Sequence, residues 1–345
     1  MAISTKIHQL KDRTVTEYIL SNDSIELSVL SQGASIYRLL TKDLDGVKAD
    51  LVLGHKSIED YLLNPCYLGA TVGRYANRIA GASFILNEEK FLLSANSDAN
   101  CLHGGKIGLH HKNWQGEIDG ETLTLSVESP DGEGGFPGHL KVSVSFTLDK
   151  DNVVISYKAN TDADTVINLT NHSYFNLGGH ESGVVFEHEL QIFADEYLEV
   201  NSEHIPSSKR SVAKTPFDFK VFKPLVAGLR STDQQITQAG GYDHCFIVND
   251  NGDDLKKVAI VRHPWSGRIM TVFSTEPGVQ LYTANHIDGF EGKDEIYYGR
   301  YPAFCLETQH FPNSPNEADF PSTVLRAGET FNSQTIYNFS LTHED

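Results

Sequence analysis

The chain has 345 residues, 39% hydrophobic and 21% charged, with a formal net charge of -18. A surface this acidic repels the nucleic-acid backbone and anionic lipid headgroups, so neither is expected as a partner. The start of the chain, Met1-Ala2-Ile3-Ser4-Thr5-Lys6-Ile7-His8, has no apolar leader core and no stretch reaches membrane-spanning length; Cys66, Cys101, Cys245 and Cys305 are scattered without a C-x-x-C pair, which predicts reduced thiols in a cytoplasmic protein.

Taken in chain order, residues 56–63 predict one short helix, and the rest of the clear periodicity is two. Residues 123–127 alternate apolar and polar. So do residues 140–148, with the even positions apolar, and residues 152–158 follow after the turn residues Asp149, Lys150 and Asp151, which predicts a hairpin. A second hairpin is predicted from residues 257–261 and 269–273 across His263-Pro264-Trp265-Ser266-Gly267-Arg268. Residues 331–339 close the series. Length alone suggests about two domains. No linker, repeat or low-complexity tract divides the chain, however, so a single domain over residues 1–345 is expected. Its class is all-β, a large antiparallel sandwich or barrel with few short helices. In such a scaffold function is expected on strand ends and long loops, where polar groups converge on a concave face.

Five polar islands interrupt the apolar pattern. Gly73-Arg74-Tyr75-Ala76-Asn77-Arg78-Ile79-Ala80-Gly81 offers donors of fixed geometry that suit sugar hydroxyls, or a loop tied to a carboxylate. Asn100-Cys101-Leu102-His103-Gly104-Gly105 places glycines after a histidine, which lets the backbone approach a ligand or simply forms a turn. Asn168-Leu169-Thr170-Asn171-His172-Ser173-Tyr174-Phe175-Asn176-Leu177-Gly178-Gly179 surrounds His172 with Asn171, Ser173 and Asn176, which are expected to fix its tautomer, and with Tyr174 and Phe175 as pocket walls. Gly240-Gly241-Tyr242-Asp243-His244 sets a carboxylate behind a turn, where an Asx-turn competes with hydroxyl binding. Glu307 follows the apolar run Tyr301-Pro302-Ala303-Phe304-Cys305-Leu306 and is read as lying where a buried strand runs out. Partial desolvation there raises a carboxylate's pKa and makes it a better base, and His172 is a natural acid to pair with it.

Metal binding is not expected. Among 15 histidines there is no H-E-x-x-H, and His110-His111 are adjacent. The segment Asp131-Gly132-Glu133-Gly134-Gly135-Phe136-Pro137-Gly138 lacks the spacing and the Lys-Ser/Thr end of a phosphate loop and reads as a turn. There is no G-x-S-x-G nucleophile.

Together and in this order the islands resemble the galactose mutarotase (aldose 1-epimerase) family. Matching text also includes Trp114, the Gly134-Gly135-Phe136-Pro137-Gly138 loop, Thr215-Pro216-Phe217-Asp218-Phe219, Gly278-Val279-Gln280-Leu281-Tyr282-Thr283 and Leu306-Glu307-Thr308-Gln309-His310-Phe311-Pro312-Asn313. Two loop positions depart from the family pattern: Asn313 stands where Asp is expected, and Ile205-Pro206-Ser207-Ser208 lacks the Thr-Gly after its proline. The resemblance implies a β-sandwich with a sugar cleft, no cofactor, and a free aldohexose such as galactose or glucose as substrate. It implies Glu307 as general base at the C1 hydroxyl, His172 as general acid at the ring oxygen, and His103 polarising that region, with Asn77, Arg78, Asp243 and Gln280 holding the other hydroxyls. On this reading Glu307 is ionised and His172 protonated at working pH, and the protein is a monomer or homodimer. A glycoside hydrolase using Asp243 and Glu307, a hexose-6-phosphate epimerase and a non-catalytic carbohydrate-binding module are the alternatives.

Overall fold

The computed structural model describes residues 1–250, 252 and 254–342. The alternation at residues 140–148 becomes the strand Leu140–Asp149, whose even residues are buried and whose odd residues face outward. It pairs with Asn152–Thr161 in the register that sets Asp149 opposite Asn152, so the turn is the two residues Lys150 and Asp151. Lys150 carries the positive φ (53°) that tight hairpins of this length use. The second expected hairpin joins Lys256–Arg262 to Arg268–Ser274.

These strands belong to an antiparallel sheet of nine, in spatial order Gln115–Asp119, Thr122–Ser129, Leu140–Asp149, Asn152–Thr161, Thr330–Leu341, Arg268–Ser274, Lys256–Arg262, Glu189–Ile192 and Lys223–Pro224. A sheet of five runs Pro206–Ser211, Ala194–Val200, Asp243–Val248, Gly278–Tyr282 and Cys305–Gln309. Another sheet of five takes the N-terminal strands from Ala2–Gln9 to Lys48–Asp50 in chain order. One buried cluster draws on all three sheets, for example Leu20 and Ile36, Val144 and Val272, and Phe246 and Leu306. Each such side chain stabilises the fold by about 1.5–3 kcal/mol through removal from water.

Residues 56–63 do not form an α-helix. A single 3-10 turn spans Glu59–Leu62, and Tyr61 is its one buried residue, too little apolar surface to hold a longer helix in place. The α-helices among the described residues are Leu225–Leu229 and Gln234–Ala239, and none is long and apolar enough to cross a membrane. Glu133–Gly135 forms a 3-10 turn, as expected of a glycine-rich connection.

The register of the five-stranded sheet that holds Cys305–Gln309 positions the site. Glu307 lies opposite Gln280 and Cys305 opposite Tyr282, while Asp243 lies opposite Tyr282 on the other side. Directly paired residues share a face, and residues two apart along a strand share it too. Leu306, Leu281, Val279 and Phe246 therefore take the opposite face and enter the core. Glu307, Gln280, Tyr282 and Asp243 are left on one face, away from it.

Candidate active site

Glu307 sits in the middle of the strand Cys305–Gln309, not where the strand ends. All five residues are buried and the ladder continues to Gly278 opposite Gln309. The polar letters Thr308 and Gln309 suggested a strand end, but backbone pairing carries the strand through them. Two two-residue ladders bring the other groups to this sheet. Thr170–Asn171 pairs with Thr71–Val72 and delivers His172. Arg78–Ile79 pairs with Cys101–Leu102 and sets His103 beside Asn77.

A cavity of ≈ 190 Å³ results, lined by Asn77, Arg78, His103, His172, Asp243 and Glu307, together with Pro65, Cys66, Tyr67, Leu102, Tyr174, Tyr282, His286 and Ile287. Six of the seven residues selected from the sequence meet there. The seventh, Gln280, is not in the lining; its amide donates to Asp243 Oδ1 at 2.7 Å and so holds a cavity residue in place.

His172 Nε2 and Glu307 Oε1 are 3.6 Å apart, and both side chains are almost wholly buried. Burial pushes the His172 imidazole down to about 4. Burial, aided by the charge of Asp243 and opposed by Arg78, pushes the Glu307 carboxyl well above the usual carboxylate range. This reverses the expected order: the pair's proton rests on Glu307 and His172 is neutral. The reason is that a dry cavity penalises both charges, so the pair is more stable neutral.

The tautomer of His172 is not fixed by its flanking amides. Asn171 Nδ2 donates to Gly69 O, Ser173 Oγ donates to Asn171 Oδ1, and Asn176 Nδ2 donates to Gly183 O and Pro302 O. The imidazole instead stacks between Tyr67 and Tyr174, with centroids at 5.8 and 4.9 Å and planes 19° apart in both cases; Cys305 Sγ is 3.7 Å from Nδ1. Tyr174 walls the cavity as expected, whereas Phe175 faces the core against Phe304 and Tyr337. Tyr67 was not singled out from sequence. Its ring touches both His103 and His172, yet its sequence context, Asn64-Pro65-Cys66-Tyr67, carries no signal beyond a turn.

His103 Nδ1 accepts a hydrogen bond from the Asn77 backbone N–H at 3.1 Å. Burial, then the neighbouring His172, Arg78 and His110, keep this imidazole well below its ordinary pKa, hence neutral. Its lone pair is therefore spent on Asn77, and Nε2 carries the proton and acts as a donor. This bears on metal binding, because donor atoms of His103, His172 and Glu307 lie within 4.8 Å of one another. A ligating nitrogen must offer a lone pair. His103 has none left for the cavity, so the donor set does not suit a cation. Glycine at 104 (φ 86°) has a packing role rather than the expected ligand approach: a Cβ there would meet Gly73 O at 1.9 Å.

The two arginines of the first island part company. Arg78 Nη1 lies 4.0 Å from Asp243 Oδ2 in the cavity. For Asp243, burial alone would raise the pKa, but Arg78, His204, Gln280 and His244 together outweigh it and hold the carboxyl below its usual value. Arg74 is buried elsewhere, donating to Ser129 Oγ and to the carbonyls of Ser129, Pro130, Pro137 and Gly138. It braces the loop after Thr122–Ser129. Arg74→Met keeps the stem but leaves four carbonyls short of a donor, and the expected loss is at least about 3 kcal/mol of stability. A urea midpoint within error of the parent's would contradict that role. Asn313, one of the departures, accepts from Ala80 N–H and donates to Glu317 Oε1, a contact that an aspartate would make repulsive.

The model of a family described as aldose 1-epimerase matches residues 16–338. Galactose mutarotase from Mus musculus is 41% identical over 330 residues, 95% of each chain. Aldose 1-epimerase from Escherichia coli K12 is 37% identical, covering 92% of this chain and 93% of its own. Among solved structures, galactose 1-epimerase from Lactobacillus acidophilus superposes with a TM-score of 0.85 at 30% identity, over 99% of this chain and 100% of that one. An aldose epimerase homologue from C. elegans gives 0.88 at 27%, with the same coverage.

Proposed function

We infer the chemistry of this site from one premise: the chain belongs to the aldose 1-epimerase family. As an aldose 1-epimerase it interconverts the α and β anomers of a free aldohexose such as galactose or glucose by opening and reclosing the ring. Opening removes the proton from the C1 hydroxyl, forms the C1 aldehyde, breaks the bond from C1 to the ring oxygen and places a proton on that oxygen. Rotation about C1–C2 and the reverse sequence invert the anomeric centre.

The observation that carries the assignment is the buried Glu307–His172 pair at 3.6 Å on the cavity wall. Glu307 takes the C1 proton and His172 supplies the ring-oxygen proton, while neutral His103 donates a hydrogen bond without exchanging its proton. The reactive state has the pair's single proton on His172. It has the same proton count as the resting state and differs only in which partner holds the proton. Each positioned transfer contributes about 10²–10⁴-fold. The anomers are near-equal in energy, so the reaction needs no redox partner or energy source. Asn77, Arg78 and Asp243 bind the remaining hydroxyls, and Gln280 acts through Asp243.

The alternatives fit less well. A phosphosugar needs several cations, yet Arg78 is the one arginine or lysine in the lining and it faces Asp243. A retaining or inverting hydrolase needs its second carboxylate as a free nucleophile or base, yet Asp243 is held by Gln280 at Oδ1 and faced by Arg78, which lowers its basicity. We further propose a single domain over residues 1–345, from the core shared by all three sheets, and a cytoplasmic monomer or homodimer with its four cysteines unpaired. Polarimetry of freshly dissolved α-D-galactose and α-D-glucose tests the function. Faster approach to the equilibrium rotation is expected with the protein present, and a rate equal to the buffer blank would overturn it.

A further inference from the structure

His204 lies outside the polar islands and does not line the cavity, but it faces the cavity's Asp243. It occupies the tight turn between Ala194–Val200 and Pro206–Ser211 with a positive φ of 59°. That turn is closed by His204 N–H to Asn201 O and by Asn201 Oδ1, which accepts from Glu203 and Ile205 N–H. The turn aims His204 Nδ1 at Asp243 Oδ2, 3.6 Å away, and that nitrogen is buried without a hydrogen-bond partner. On the same oxygen Arg78 Nη1 stands off at 4.0 Å. The other oxygen, Oδ1, is already taken by Gln280 at 2.7 Å. Asp243 is thus clamped at one oxygen, while the other is flanked by two donors, each beyond hydrogen-bond reach.

An acceptor left open in this way suits a hydroxyl, which donates to Oδ2 while its lone pairs accept from neighbouring donors. The orphan nitrogen of His204 has a cost that only a small shift of the carboxylate would relieve. We propose that His204 is a positioning residue for sugar recognition, aligning Asp243 Oδ2 from outside the cavity and contending with the sugar hydroxyl for it. The proposal rests on the reading of the cavity as an aldose site.

The charged and titratable groups facing His204 are Asp243, Arg78 and His286, with His244 adjacent to Asp243 on its strand. Burial is the main influence that keeps the His204 imidazole below its ordinary value, against the pull of Asp243. His244 is pushed down to about 4, mainly by burial, and stays neutral above pH 5. As pH falls and His204 takes up a proton, the imidazolium draws Oδ2 to itself and the hydroxyl loses its acceptor. Sugar affinity therefore weakens toward acid while the Glu307–His172 chemistry is untouched.

The test uses 1,5-anhydro-D-galactitol and 1,5-anhydro-D-glucitol, which lack the anomeric hydroxyl and cannot ring-open, titrated calorimetrically from pH 8 to pH 5. The parent's affinity is expected to fall severalfold across this range. His204→Gln, an uncharged donor, should keep the pH 8 affinity and show a flat profile. His204→Ala should raise the Kd at pH 8 and the KM for mutarotation by about tenfold, with kcat within twofold. Kd values for both variants within twofold of the parent at every pH would overturn the proposal. So would a fall in kcat and in melting temperature without a rise in KM, the signature of a merely structural residue. Mutarotation by the parent tests the underlying aldose reading separately.

Discussion

Glu307→Gln should lower kcat by about 10²–10⁴-fold while sugar binding survives. The amide fills the same volume on the same strand and keeps an oxygen toward His172, but it cannot take a proton at useful pH. The variant is expected to fold, because the parent side chain is buried and held uncharged, with Oε2 lacking a hydrogen-bond partner. Replacing one neutral polar group by another asks little of such a site. The measurement is kcat by polarimetry beside a calorimetric titration with a non-reacting 1,5-anhydrohexitol. Turnover within tenfold of the parent would remove Glu307 from the role of base, whatever the titration shows. Loss of binding together with turnover would instead make it a hydroxyl ligand.

The second large effect concerns pH. The active pair carries one proton. Adding a second fills the base, and removing the first empties the acid, so kcat/KM for the free enzyme is bell-shaped. In the resting pair the second proton goes to His172, whose pKa burial lowers to about 4, so activity is lost as pH falls through that value. The first proton leaves Glu307, whose pKa burial raises, so activity is lost as pH rises through that higher value. Beyond the severalfold weakening of binding that His204 contributes, the acid limb therefore belongs to His172 and the alkaline limb to Glu307, the opposite of the order that unburied groups would follow. The apparent values belong to the coupled pair. His172→Gln should cut turnover by about 10²–10⁴-fold and erase the alkaline limb, leaving a residual rate that rises with pH as Glu307 ionises. Nuclear magnetic resonance of the ring carbons in the sugar-free protein checks the premise directly. His172 should remain neutral between pH 5 and pH 8, and an imidazolium titrating near pH 6.5 would show that the reversal is wrong.

Much of the architecture was legible in local pattern. A strand of ten residues such as Leu140–Asp149 repeats its inside-out alternation often enough to declare itself, and Lys150 with Asp151 marks the turn. The candidate site was legible as chemistry: Glu307, His172, His103, Asn77, Arg78 and Asp243 are polar letters in apolar or glycine-rich surroundings, and they line one cavity. Two-residue strands such as Thr170–Asn171 and Arg78–Ile79 were not legible, because two residues are too few to show a period. Yet those short ladders bring His172 and His103 to the sheet.

The amino-acid sequence by itself determined which groups were available for acid–base chemistry and that strands would carry them. Only the tertiary structure decided which way each group points. Arg74 and Arg78 are four residues apart in one island, but one is locked among the carbonyls of Ser129–Gly138 and the other faces Asp243. Glu307 reads as a strand end until its pairing with Gln280 puts it in the middle of a buried ladder. His204 has no local signal at all; it matters because a turn closed by Asn201 points it at a carboxylate 39 positions further on. The order of the pKa values was likewise beyond the sequence, since it depends on how completely distant segments exclude water from Glu307 and His172. Side-chain direction and dryness are set by contacts between residues far apart in the chain, and local pattern carries no record of those contacts.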